Sequence, residues 1–155
     1  MGYGEIMKFL LCIALFMLSV QSFANCSITS TKDDRLQNII NENKGWNFDN
    51  YDVLCAKLKK AKAGLQINQV TMISEYQTSV ATAVKAYSLD IEKKYGAKLL
   101  TISGYVGIAS NPKRTTNVED ELRYVNANYV LNELVNTKEI DSILNDLNKM
   151  SAILK

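Results

Sequence analysis

The chain contains no histidine, which removes Ser-His-Asp and Cys-His nucleophile arrangements and the usual zinc sites. Cysteines and carboxylates are what remain for chemistry. The acids group as Asp33 with Asp34, Asp49 with Asp52, Glu119 with Asp120 and Glu121, and Glu75 alone. Two opposed carboxylates could hydrolyse a glycosidic bond. All but Glu75 fall where the first turn of a helix is expected, and an acid there stabilises the positive end of the helix dipole. Glu75, followed by Tyr76, falls at an expected hairpin turn. The acids therefore read first as helix-end and surface residues. A small exported hydrolase using paired carboxylates stands as the alternative function. "SGYVGIAS" places Gly104 and Gly107 in an alternating strand pattern, which fits tight packing or bulges and not a phosphate loop.

Two clusters could bind a partner. Trp46, Phe48 and Tyr51 could form an aromatic patch, or could staple the following helix to the core. Lys57, Lys59, Lys60 and Lys62 could meet an anion, or could form a solvated helix face. Tyr105, Tyr124 and Tyr129 read as core fillers. No cofactor or metal site is expected.

The cysteines depend on the compartment. "MGYGEIMKFLLCIALFMLSVQSFA" has Lys8 before an apolar run from Phe9 to Val20, then small residues at Ser22 and Ala24. This is a secretory signal peptide, residues 1–24. Met7 is a further candidate start. Two alternatives stay open. One is an uncleaved anchor, for which the run is short against the roughly 20 residues of a membrane span. The other is a lipoprotein acylated at Cys26, where Asn25 stands in place of a small residue. Cleavage leaves residues 25–155 as a single domain and no membrane span. The charge stays at +2 once Lys8 and Glu5 are gone. That near-neutral balance argues against nucleic-acid binding. Cys12 leaves with the leader, and Cys26 with Cys55 is the one pairing available. Two cysteines in an exported chain form a disulfide more readily than anything else.

These residues need elements to hold them. "STKDDRLQNIINENKG" reads as a helix capped by Ser30 or Thr31, with Leu36, Ile39 and Ile40 on its apolar stripe and Gly45 at its end. "FDNYDVLCAKLKKAKAG" reads as a second helix, capped by Asp49 or Asn50 and stopped by Gly64, with Cys55 facing inward. "LQINQVTMIS", "TSVATAVKAYSL" and "KLLTISGYVGIA" read as strands from their Val, Ile, Thr and Tyr content. "EKKYG" reads as the turn before the third. Val70, Ile73, Val80, Val84, Tyr87 and Ile91 also fit one long central helix, which would make the chain mostly α. "SNPKRTTN" is a loop. Thr116 and Glu119 form a capping box before a helix with Val118, Leu122, Val125, Tyr129, Leu131, Leu134 and Val135 on its apolar side. The last helix carries a stripe of Ile140, Ile143, Leu144, Leu147, Met150 and Leu154. The fold expected is α+β, in the order α-α-β-β-β-α-α, with a small antiparallel three-stranded sheet packed against helices.

One segment resembles a known group. Trp46, Phe48 and Tyr51, then Cys55, Lys57 to Ala61, Gly64 and Gln66 to Asn68 make the pattern W-x-F-x-x-Y, C-x-K-L-K-K-A, G-x-Q-I-N. This is similar to a segment of small, uncharacterised exported proteins of Gram-negative bacteria. The resemblance covers about 25 residues. It implies export and the pairing of Cys26 with Cys55, and it implies no activity. The functional expectation is an exported, periplasmic or secreted, non-catalytic binding protein of the inhibitor, immunity or accessory type. Its partner would be a protein in the envelope or exterior.

Overall fold

The structure is a computed structural model that describes residues 26–31, 35–113 and 115–154. The expected leader, residues 1–24, and the acid pair Asp33 and Asp34 lie outside the described residues. The elements run β1 (Ile28–Ser30), α1 (Arg35–Glu42), α2 (Tyr51–Ala61), β2 (Ala63–Ile73), β3 (Thr78–Ser88), α3 (Leu89–Tyr95), β4 (Tyr105–Asn111), α4 (Thr116–Asn136) and α5 (Glu139–Ile153). The architecture is α+β. The four strands form one sheet in the order β1-β2-β3-β4. β1 runs parallel to β2, and the other two pairings are antiparallel.

The sheet is built on a long hairpin. β2 and β3 pair from Ala63↔Ser88 to Ile73↔Thr78. Ser74 closes the turn by accepting from the backbone N–H of Gln77 and Tyr76. Leu65, Ile67, Val84 and Ala86 face one side of this hairpin, two residues apart as strand geometry requires, and are fully buried. The helices supply the other half of the core. α1 buries Leu36, Ile39 and Ile40, and α2 buries Leu54, Cys55 and Leu58. α4 contributes Ala127, Val130, Leu131 and Leu134, and α5 contributes Ile140, Ile143, Leu144 and Leu147. Gly107 of β4 lets α4 come close, since a Cβ there would stand 2.4 Å from Val130 Cγ2. The glycine serves tight packing, as its place in a strand suggested.

Several expectations need correction. The sheet has four strands and is mixed, not three-stranded and antiparallel. Ile28–Ser30 pairs as β1, so Ser30 is a strand residue and not a helix cap. The stretch from Thr78 to Ser88 pairs along its whole length, so the one-long-helix alternative fails. The third expected strand begins at Tyr105; Leu100 makes only an isolated bridge to Tyr87. Glu92 to Tyr95 of "EKKYG" belong to α3, Gly96 caps its end with a left-handed backbone, and Ser88 caps its start by accepting from the Ile91 N–H. α2 stops at Lys62, whose left-handed backbone (φ 49°) sends its N–H back to the carbonyls of Leu58 and Lys59. Gly64 lies two residues further on, inside β2. Thr115, not Thr116, caps α4. Val125 and Tyr129 of α4 are 53% and 58% exposed, so neither fills the core.

Candidate functional site

The Cys26–Cys55 disulfide is present, with its Cα atoms 5.1 Å apart. It joins Cys26, two residues before β1, to the inward side of α2. Leu65 N–H then donates to Ser27 O at 2.8 Å, which sets the parallel register of β1. The bond thus fixes an edge strand of three residues that could hardly hold its place alone.

The aromatic cluster lies beside it. Trp46, Phe48 and Tyr51 are half-buried and pack against the core. Phe48 and Tyr51 meet edge to face at 5.6 Å. Trp46 and Tyr51 line a hollow of about 410 Å³ together with Cys26 and Ile40. The segment is held down by a row of asparagines on α4 at i, i+4 and i+8. Asn47 N–H donates to Asn128 Oδ1 at 2.8 Å, and the Asn50 amide donates to Asn132 Oδ1 and Asn136 Oδ1. Tyr124 donates its hydroxyl proton to the Gly45 carbonyl at 2.9 Å. These contacts use the aromatic segment to position α2, in the manner of a staple. The asparagine row was open to reading in the sequence from its four-residue spacing.

The carboxylates are dispersed. Glu119 and Asp120 both pair with Arg35, and Glu119 also accepts from Arg123 Nε at 3.0 Å. Burial pushes the Glu119 carboxyl up. The hydrogen bonds from Arg123 and Thr71, with the charges of Arg123 and Arg35, outweigh it and hold the group below its ordinary value. That keeps it ionised, whereas a general acid must keep its proton. Asp49, Asp52, Glu75 and Glu121 are exposed. Asp146 accepts from the hydroxyl and the backbone N–H of Ser103, and these bonds lower its pKa. The lysines of α2 are likewise partly engaged: Lys57 pairs with Asp141 and Lys62 with Asp90.

The sheet face turned away from the helices falls into two halves. Near the disulfide it is closed. Tyr87 lies across Gly64, where a Cβ would stand 2.4 Å from its ring. Its hydroxyl meets Ser27 Oγ at 2.7 Å. Lys98 reaches over the ring at 4.5 Å and donates to Thr29 Oγ1. Tyr87 is consequently only 1% exposed. Towards the hairpin tip the same face is bare. The register sets Val70, Ala81 and Ile108 in one row, with Ala83 and Val106 in the next and Met72 beside Ser79. Val70, Met72, Val106 and Ile108 are 62%, 50%, 62% and 65% exposed. Single exposed apolar residues are ordinary, but Val70 and Met72 on β2 and Val106 and Ile108 on β4, bridged by Ala81 and Ala83 of β3, make a patch of roughly a few hundred Å².

β4 borders this patch as the last strand of the sheet. Its sequence, "YVGIASN", has no charge and no proline. Natural edge strands are commonly guarded by one or the other. At its start Tyr105 sits against α4; burial, then the nearby Glu133, Tyr129 and Glu139, raises its pKa. The sequence offered Trp46, Phe48 and Tyr51 as a possible binding surface, beside their role as a staple. The alternation of Val106 and Ile108 was visible there too, but nothing in it showed that the described helices leave their side uncovered.

No helix among the described residues is long and apolar enough to cross a membrane. No protein-family model matches the chain, and neither a curated protein nor a solved structure matches it.

Proposed function

We propose that the chain is an exported, non-catalytic binding protein of the bacterial envelope or exterior, of the inhibitor, immunity or accessory type. It holds a protein partner on the bare half of its sheet. The observation that carries this reading is the patch of Val70, Met72, Val106 and Ile108 beside the unguarded β4. An extended segment of the partner adds along β4 through backbone hydrogen bonds. Its alternate side chains then rest against Val106 and Ile108, as in strand-addition complexes. Export is supported by the leader-like residues 1–24, the disulfide, and the likeness of residues 46–68 to small exported proteins of Gram-negative bacteria. The aromatic cluster has a structural part to play and adds less to the surface than the sheet does.

Cross-linking pull-down from envelope and medium, with the chain tagged at its C-terminus, tests the reading. One stoichiometric protein partner is expected. Val106→Asp with Ile108→Asp should abolish capture while leaving the free energy of urea unfolding within about 1 kcal/mol of the parent, since both side chains are exposed. Undiminished capture by that variant would overturn the assignment of the surface. Free monomer throughout would overturn the binding role.

A further inference from the structure

A second feature of the molecule lies far from β4 in the sequence and goes beyond the protein-binding role. The C-terminal half of α2, the short α3 and one side of α5 from Asp141 to its C-cap Leu154 enclose an open cleft of about 750 Å³. This falls within the range of small-molecule sites, about 300 to 1,000 Å³. Its rim carries Lys57, Lys60, Lys62 and Lys94 against Asp90 and Asp141. Lys57 and Lys62 are answered by the two aspartates. Lys60 makes no ion pair among the described residues, and Lys94 rests over the Tyr95 ring at 4.8 Å. Four cations less two anions leave +2 on this one rim, equal to the net charge of the whole chain, +2. The cleft is therefore locally positive.

Helix-end compensation explains part of this, since Lys60 and Lys94 stand in the last turns of α2 and α3. Lys59 and Lys93 share those turns and do not line the cleft. The rest of the lining mixes Ser88, Asn148 and Ser151 with a set of apolar side chains. Ile91, Leu144, Leu154 and Tyr95 form this apolar wall, and Tyr95 is 56% exposed. A free inorganic anion would use the lysines and leave that wall wet. A neutral lipid would use the wall and leave the lysines idle.

We infer that the cleft between α2, α3 and α5 binds a single-chain anionic amphiphile, with its head between Lys60 and Lys94 and its acyl chain along Ile91, Leu144 and Leu154. The lysine ammonium groups supply attraction without fixed geometry, so the head is defined by charge and the body by its apolar length.

Isothermal titration of the disulfide-bonded protein tests this, with laurate as the probe, below its micelle concentration. Acetate and inorganic phosphate serve as head-only controls, and dodecyl maltoside as the neutral-head control. Saturable one-to-one binding of laurate is expected, at least about tenfold tighter than any control. Lys60→Glu with Lys94→Glu should weaken it about tenfold, and so should Tyr95→Ser with Leu154→Ser. All four positions are at least partly exposed, so circular dichroism should show both variants folded. Equal affinity for acetate or phosphate would reduce the site to one for free anions and overturn the proposal. Equal affinity for the maltoside, unchanged binding by both variants, or no laurate binding would each overturn it as well.

Discussion

Gly64→Ala tests how the closed half of the sheet face is held. The new Cβ would stand 2.4 Å from Tyr87 Cζ and 2.5 Å from its hydroxyl oxygen. Tyr87 has little room to yield, because it is buried, bound to Ser27 at 2.7 Å and covered by Lys98. Forcing a side chain out of a packed site costs about 1–3 kcal/mol. Losing the hydroxyl bond adds about 0.5–1.5 kcal/mol. Alanine returns about 0.5–1 kcal/mol because it gives up less backbone entropy than glycine. The net expectation is a loss of about 1–3 kcal/mol, read as a lower urea midpoint at constant slope on the oxidised protein. The same substitution in a Tyr87→Ala background has nothing to collide with. It should then stabilise by about 0.5–1 kcal/mol, although Tyr87→Ala itself costs about 3–5 kcal/mol. The double-mutant cycle should therefore show a coupling of about 2–4 kcal/mol. Equal effects of Gly64→Ala in both backgrounds would refute the steric argument.

Two further outcomes follow from the ion pairs and the disulfide. Glu119 has its folded pKa below its ordinary value of 4.5. Its contribution is therefore present above that value and lost as pH falls through the lower folded pKa. Glu119→Gln should destabilise at neutral pH and have progressively less effect as acid unfolding proceeds; a loss independent of pH from 7 to 3 would contradict this. Cys26→Ser with Cys55→Ser opens a loop with a sequence separation of 29. It should cost about 3 kcal/mol in urea unfolding, and reduction of the parent protein should match it. Amide exchange should speed first at Leu65, whose N–H holds β1; uniform acceleration through all strands would show that the bond acts on the whole fold instead.

The sequence carried the helix stripes well, and for a physical reason. α1, α2 and α5 each set an apolar face against the sheet, so Leu36, Leu54 and Ile143 recur at helical spacing with their neighbours. α4 obscured its own face. Asn126 is buried and donates to Val80 O and Thr82 Oγ1, so the side meeting the sheet is partly polar. Val125 and Tyr129, apolar and in step, face outward instead. The hairpin was legible from its β-branched content. The three residues of β1 were not, because so short a strand has no period of its own and is placed by Cys26 and by Leu65. The candidate surface was half legible. Alternation of Val106 and Ile108 marks a strand with an apolar side, but which side the helices cover is decided by residues far away in the chain. The cleft was foreshadowed by Lys57 to Lys62, yet Lys94 and Leu154 join it only through folding.

The division of the outer sheet face into a closed and a bare half bears on motion as much as on binding. At the closed end, β2 and β3 are held by Tyr87 packed against Gly64, and Ser27 and Lys98 tie Tyr87 to the β1 segment that the disulfide anchors to α2. Towards Ile73 and Thr78 the same strands lose those restraints on one side, and β1 no longer flanks β2 beyond Ile67. Local opening costs least where fewest buried contacts must break. One pair of strands therefore carries a gradient of rigidity, stiff at the root and yielding at the tip. The yielding end is the one that presents Val70, Met72 and Ile108, so under the proposed strand addition it would be the part that adjusts its twist, while the clamp holds the register.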